Sequence, residues 1–213
     1  MRGVTYARPG CGESTRSPGR TVADVAADVA ELADRFGADR FYTMGSSGGA
    51  PHVLACAALL PDRVLAAAAI AGPAPVGADG LDWLAGTGDL NIEGFHAWQD
   101  GPEQHRASLQ KVADGMGELT VDDLLQTLDT VLSDVDRAVL VREFAEFMTR
   151  SFRRAMLHGL DGWYDDDRAE LGDWGFDLGS IRAPVALWHG GQHHFVLARA
   201  GELLDELRVM AAA

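Results

Sequence analysis

A parallel α/β sheet flanked by helices, with a helical cap inserted into it, is the fold this sequence predicts. Two observations predict it. Phe41 to Ala71 reads as strand, helix and strand in direct succession, the order that builds a parallel sheet. No strand pattern follows until Pro184, where an apolar run, a glycine loop and an amphipathic stretch resume the alternation. The expected organisation is therefore an α/β core from residues 1–73 and 182–213, and a helical cap from 74–181. At 213 residues and 22.7 kDa, with 47% hydrophobic residues, the chain is long and apolar enough to bury a core.

The elements follow in order. Val4-Thr5-Tyr6 is a candidate short strand, and Arg8-Pro9-Gly10-Cys11-Gly12 has the composition of a turn. Val22, Val25, Val29, Leu32 and Phe36 recur at helical spacing. Thr21 with Asp24 resembles a capping box at the start of that helix, and Gly37 would stop it. Phe41 to Met44 reads as a buried strand, and Gly48 to Leu60 as a helix apolar nearly all round. Val64 to Ala71 reads as a second buried strand, with helix as the competitor because of its alanines.

Within the insertion, Thr120 starts a helix carrying Leu124, Leu125 and Leu128. Asp134 starts a longer one with Val139, Phe144, Phe147, Met148 and Phe152 on one face, ended by Gly159. Asp165-Asp166-Asp167 reads as a solvated acidic helix start. Trp83, Trp98, Trp163 and Trp174 read as packing of the cap, with an apolar substrate pocket as the alternative. Val185 to Trp188 is the last strand, and Ala198 to Met210 the last helix.

Charge and composition exclude several functions. A net charge of -14, from 18 basic and 32 acidic residues, opposes binding to nucleic acid or to an anionic membrane surface. The longest apolar stretch, Val64 to Gly77, is shorter than the ~20 residues of a spanning helix. The first residues lead into no apolar signal segment, and Cys11 and Cys56 are too few for a disulfide framework. Both thiols are expected free, in a reducing cytoplasm.

The chemistry lies in Gly45-Ser46-Ser47-Gly48-Gly49, which fits G-x-S-x-G centred on Ser47. An apolar strand precedes it and an apolar helix follows. A serine on such a sharp strand-to-helix turn is a candidate nucleophile, and the Gly48 N–H is a candidate oxyanion donor at the positive end of the helix. The flanking glycines would let the turn close. The plainer reading is a Gly/Ser turn that binds a phosphate or nothing. No Gly-Lys-Ser/Thr follows, so it is not a Walker loop. His52 reads as a hydrogen-bonded core histidine on the buried helix. His189, His193 and His194 lack the spacing and companions of a zinc site.

These motifs together resemble the α/β-hydrolase family. Arg8-Pro9-Gly10-Cys11-Gly12-Glu13-Ser14 is similar to its R-P-G-x-G-x-S turn, and Ser47 to His52 to its nucleophile elbow and helix. Pro61-Asp62-Arg63-Val64 resembles its turn into the next strand. Ile181 to Gly190 resembles the strand that leads to its catalytic acid, and the helical insertion sits where the family carries its cap. The resemblance implies a serine hydrolase that forms an acyl-enzyme on Ser47 with a small, apolar, ester-like substrate, without cofactor or metal. A serine here argues against the relatives with an aspartate nucleophile, such as epoxide hydrolases and haloalkane dehalogenases.

The chain departs from the family pattern at both ends. The family acid in H-G-x-x-D is replaced by His193 in His189-Gly190-Gly191-Gln192-His193. No Gly-His follows, and the strands and H-G loop that normally precede the R-P-G turn are absent from these residues. A rebuilt triad would draw on His193, His194 or Asp79. Without it, the fold is expected to serve as a non-catalytic ligand-binding or interaction protein. Missing strands also leave a sheet edge open to self-association.

Overall fold

A computed structural model describes residues 2–129, 142–189 and 200–210. The chain divides into two compact units, one of Met1–Gly19 with Asp82–Leu171, the other of Arg20–Leu81 with Gly172–Ala213.

The second unit holds the sheet. A short 3-10 turn at Val22–Asp24 opens α1 (Val25–Arg35). The Thr21 N–H donates to Asp24 Oδ2 at 2.7 Å, as the expected capping box requires. Gly37, at φ +67°, ends the helix in the left-handed conformation. Then come β1 (Phe41–Ser46), α2 (Gly49–Leu59), β2 (Val64–Ile70), β3 (Val185–Trp188) and α8 (Ala200–Met210). The strands pair in parallel in the order β1-β2-β3, with Ser46 opposite Ile70 and Ile70 opposite Trp188.

The alanine-rich run at 64–70 is a strand because it is the central one. Ala66, Ala68 and Ile70 pack with Ala186 and Leu207 on one face. Ala67 and Ala69 alternate to the other face and are buried too. Both α2 and α8 pack on β2, and small side chains let them approach closely. Burial on two faces outweighs the helix propensity of alanine. As expected for its composition, α2 is buried along most of its length. Among the described residues, the outer edges of β1 and β3 pair with no further strand.

Beyond the N-terminal turn, the regular elements among the first unit's described residues are all helices. The unit contains α3 (Asp89–Gln99), α4 (Pro102–Met116), α5 (Val121–Asp129), α6 (Arg142–Ala155) and α7 (Asp161–Leu171). The Thr120 N–H and hydroxyl both donate to Asp123, capping α5 and holding that carboxyl below its ordinary pKa. The expected helix start at Asp134 lies outside the described residues. In α6 the buried positions are Ala145 and Thr149; Phe144, Met148 and Phe152 of the face read from the sequence are half-buried, and Phe147 stays exposed against Phe144. Trp83, Phe95 and Trp98 form an aromatic cluster in this unit.

Two sequence expectations fail in this unit. Val4-Thr5-Tyr6 is not a strand; these residues are exposed and irregular, and no neighbouring strand supplies the ladder that three residues need. The acidic run is not solvated. Asp165 and Asp166 are each only 5% exposed, and arginines of the N-terminal turn take both. Arg8 reaches Asp166 Oδ2 at 2.8 and 2.6 Å through two nitrogens. Arg16 grips Asp165 at 2.6 and 3.0 Å and also pairs with Asp161. Desolvation pulls the Arg8 pKa down, but the hydrogen bond and charge of Asp166 outweigh it and leave it raised. Beside them, buried His105 donates from Nε2 to Asp167 at 3.2 Å.

Glycine allows this docking. A Cβ on Gly162 would lie 2.4 Å from the Gly10 carbonyl oxygen. Gly10 itself needs φ +83°, so the turn and α7 meet backbone to backbone.

Candidate active site

Within the sheet unit, the carboxyl ends of the three strands lie in register. Ser47 follows β1, Ala71 follows β2 and His189 follows β3. This is the side of a parallel sheet on which ligands bind.

Ser47 has φ +53°, a conformation that costs a non-glycine residue ~1–2 kcal/mol. The neighbours hold it there. Its N–H donates to Ile70 O at 2.9 Å, continuing the β1–β2 ladder, and its carbonyl accepts from Ala50 N at 2.9 Å, beginning the helix. The chain thus turns from strand to helix on one residue, and Ser47 is exposed at the tip.

The glycines around it have different reasons. A Cβ on Gly45 would stand 2.4 Å from Gly49 O and 2.7 Å from Val53 Cγ2, because α2 folds back over β1. A Cβ on Gly72 would stand 2.2 Å from Ala50 Cβ and 3.2 Å from Ser47 O. Gly49 has open space around it, so only the first glycine of G-x-S-x-G is sterically needed for this close approach. Neither Gly72 nor Ala71, at φ +46°, carried a motif that sequence reasoning had singled out. Their role follows from the parallel pairing, which sets the end of β2 beside the elbow.

Gly48 is the residue before α2, at φ -56° and ψ -12°, and the first turn of α2 has no acidic side chain. The positive end of the helix dipole is therefore left for a developing anion, as the proposed oxyanion role of Gly48 needs. His52, one turn along, is 6% exposed and its Nδ1 donates to Gly48 O at 2.8 Å. The hydrogen-bonded histidine read from the sequence is present. Burial pushes the Cys56 thiol up to about 12, so this cysteine of α2 is a packing residue.

Among the described residues, no side chain is hydrogen-bonded to Ser47 Oγ. His193 and His194 lie outside the described residues. His189 and Asp79 are exposed. No group of three or more potential metal ligands occurs among the described residues, and none of their helices is long and apolar enough to cross a membrane.

Residues 2–210 match the sequence profile of the alpha/beta hydrolase fold. The chain belongs to the α/β-hydrolase fold family. No curated protein matches it significantly. Solved structures of this family's fold do. Epoxide hydrolase CorEH without ligand superposes with a TM-score of 0.58 at 17% identity, over 86% of this chain and 63% of its own length. This α/β-hydrolase chain therefore spans less than two thirds of that enzyme. The enol-lactonase from Burkholderia xenovorans LB400 gives a TM-score of 0.52 at 15% identity, over 96% of this chain and 78% of the other. Epoxide Hydrolase A from Mycobacterium thermoresistibile gives 0.54 at 20% identity, over 95% and 79%. At these identities the likeness is one of fold.

Proposed function

We propose that this α/β hydrolase is a serine hydrolase of small, apolar, ester-like substrates, with Ser47 as nucleophile. The observation that carries the reading is the left-handed Ser47 at the tip of β1, directly before an α2 whose first turn carries no acid. In the proposed reaction, Ser47 Oγ forms a bond to the acyl carbon and gives its proton to a base. The alcohol leaves with that proton, water then cleaves the acyl-enzyme, and a carboxylic acid is released. The Gly48 N–H faces the oxyanion. The base is assigned to His193 or His194, of which His193 stands at the family's acid position. Epoxide hydrolases are among the structural neighbours, but a serine at the elbow favours acyl transfer over epoxide opening.

A second reading has its own support. With His193 standing where the family carries its catalytic acid, the fold is suited to bind an ester-like ligand without turning it over. Hydrolysis of p-nitrophenyl acetate and butyrate separates the two. Turnover lost in Ser47→Ala and in one of His193→Ala and His194→Ala supports catalysis. No turnover in the folded wild type supports binding without catalysis, and turnover that persists in Ser47→Ala refutes Ser47 as the nucleophile. The unpaired outer edges of β1 and β3 also support self-association as part of this proposal. A monomer across micromolar concentrations in sedimentation equilibrium would refute it.

A further inference from the structure

We propose that His52 is a positioning residue of the nucleophile elbow, acting through the Gly48 carbonyl on the Gly48–Gly49 peptide, one residue beyond Ser47. The inference rests on the reading of Ser47 as nucleophile. Gly48 is the residue before α2, so its carbonyl is the acceptor for the first intrahelical bond. The His52 side chain adds a second donor to the same oxygen, Nδ1 at 2.8 Å. The ring is buried, so this bond is shielded from competing water.

Two consequences follow from that geometry. The Gly48 carbonyl and the Gly49 N–H belong to one planar peptide, so holding the oxygen also fixes the direction of that N–H. A second donor on the oxygen polarises the peptide and makes the Gly49 N–H a better donor toward an anion in front of the helix, beside the Gly48 N–H of the preceding peptide. Glycine at 48 and at 49 leaves this stretch free to take other backbone conformations. Ser47 meanwhile sits at φ +53° and gains from a neighbour that cannot swing. His52 thus supplies by side chain the stiffness that the glycines do not.

The same bond argues against His52 as the general base. Its Nδ1 carries a proton toward a carbonyl, and no side chain among the described residues is hydrogen-bonded to Ser47 Oγ. The role is therefore one of geometry, and a side chain that keeps a donor at the Nδ1 position should replace it.

The test is the second-order rate of labelling by a fluorophosphonate probe, followed by intact mass, together with thermal unfolding. His52→Phe removes the donor and keeps the bulk, and its labelling is expected to slow by at least tenfold at a temperature where it is fully folded. His52→Asn keeps a donor near the Nδ1 position, and is expected to label within about threefold of wild type with the same pH profile. Labelling of His52→Phe at the wild-type rate overturns the proposal. So does a folded His52→Asn that labels more than tenfold slower, or whose pH profile loses a limb, since a donor alone would then not suffice. If His52→Phe does not fold, His52→Asn decides by itself. A folded wild type that takes no label at all overturns the Ser47 reading, and the His52 role with it. The NMR signals of the His52 ring distinguish that case, because a proton on Nδ1 would persist without any reactivity.

Discussion

The elbow around Ser47 and the junction between the N-terminal turn and α7 are both places where backbone meets backbone over a glycine. They are held by different forces. At the elbow, Gly45 admits α2 onto β1, and the side chains met there are those of Val53 and Ala50, both uncharged. At the junction, Gly10 and Gly162 touch, but buried Asp165 and Asp166 are held by Arg16 and Arg8 from about 150 positions away. The first is a packing problem solved by local sequence. The second is a charge problem solved by residues distant in sequence. The difference teaches where a sequence is readable, and it can be tested in each region.

The largest expected effect is steric. Gly45→Ala should cost ~3 kcal/mol or prevent folding, because the new Cβ meets helix backbone that cannot move aside. Gly49→Ala, in open space, should stay within ~0.5 kcal/mol of wild type. Urea denaturation of both variants checks the contrast, and equal losses would show that the elbow is not held by close approach at Gly45.

Next comes the charged junction. Asp166→Asn should cost ~2 kcal/mol, because it leaves the Arg8 guanidinium without its buried carboxylate. The figure sits below that for a fully buried pair because the Arg8 side chain is 31% exposed. The same denaturation, repeated for Asp166→Asn, reads it. A loss under ~0.5 kcal/mol would mean that the pair is solvated after all. The exposed Glu31–Arg35 pair on α1, one turn apart, is the control. Arg35→Ala should change stability by less than ~0.5 kcal/mol.

The two cysteines report on the two regions separately. With its pKa pushed from 9.0 to about 12, Cys56 at pH 8 holds roughly a thousandfold less thiolate than an ordinary cysteine. A thiol reagent should therefore modify partly exposed Cys11 promptly and Cys56 only on unfolding. Because the folded pKa is the raised one, the stabilisation from Cys56 is fully present below pH 9 and is lost as pH rises toward 12. A Cys56→Ala variant should lose stability less steeply over that range. Prompt modification of both thiols would contradict the burial of α2.

This contrast also explains what the sequence made legible. The elbow was readable because its requirements are local: Gly45, Ser47 and an apolar helix all lie within one short stretch. The strand β3 was bounded correctly at Val185–Trp188 for the same reason, with Pro184 before it and Gly190 after it. The central strand β2 was ambiguous because alanine fits a helix as well as a strand, and only burial on both faces decides. The acidic run of α7 was misread because its partners, Arg8 and Arg16, sit in a turn whose own motif gives no sign of where it docks. Val4 to Tyr6 was misread for the converse reason, since a strand exists only with a partner to pair with. The Gly48–His52 bond lay between these cases: the i to i+4 spacing was visible, but the ring's direction was not. The base for Ser47 was not legible at all, because the chain departs from its family at the acid position.

The most direct test of the account is to locate the fluorophosphonate adduct by peptide mass spectrometry. Ser46 and Ser47 are adjacent and both exposed, but only Ser47 takes the left-handed turn at the head of α2. The account expects the whole adduct on Ser47 and none in Ser47→Ala. An adduct on Ser46, or a folded chain with none, would contradict it.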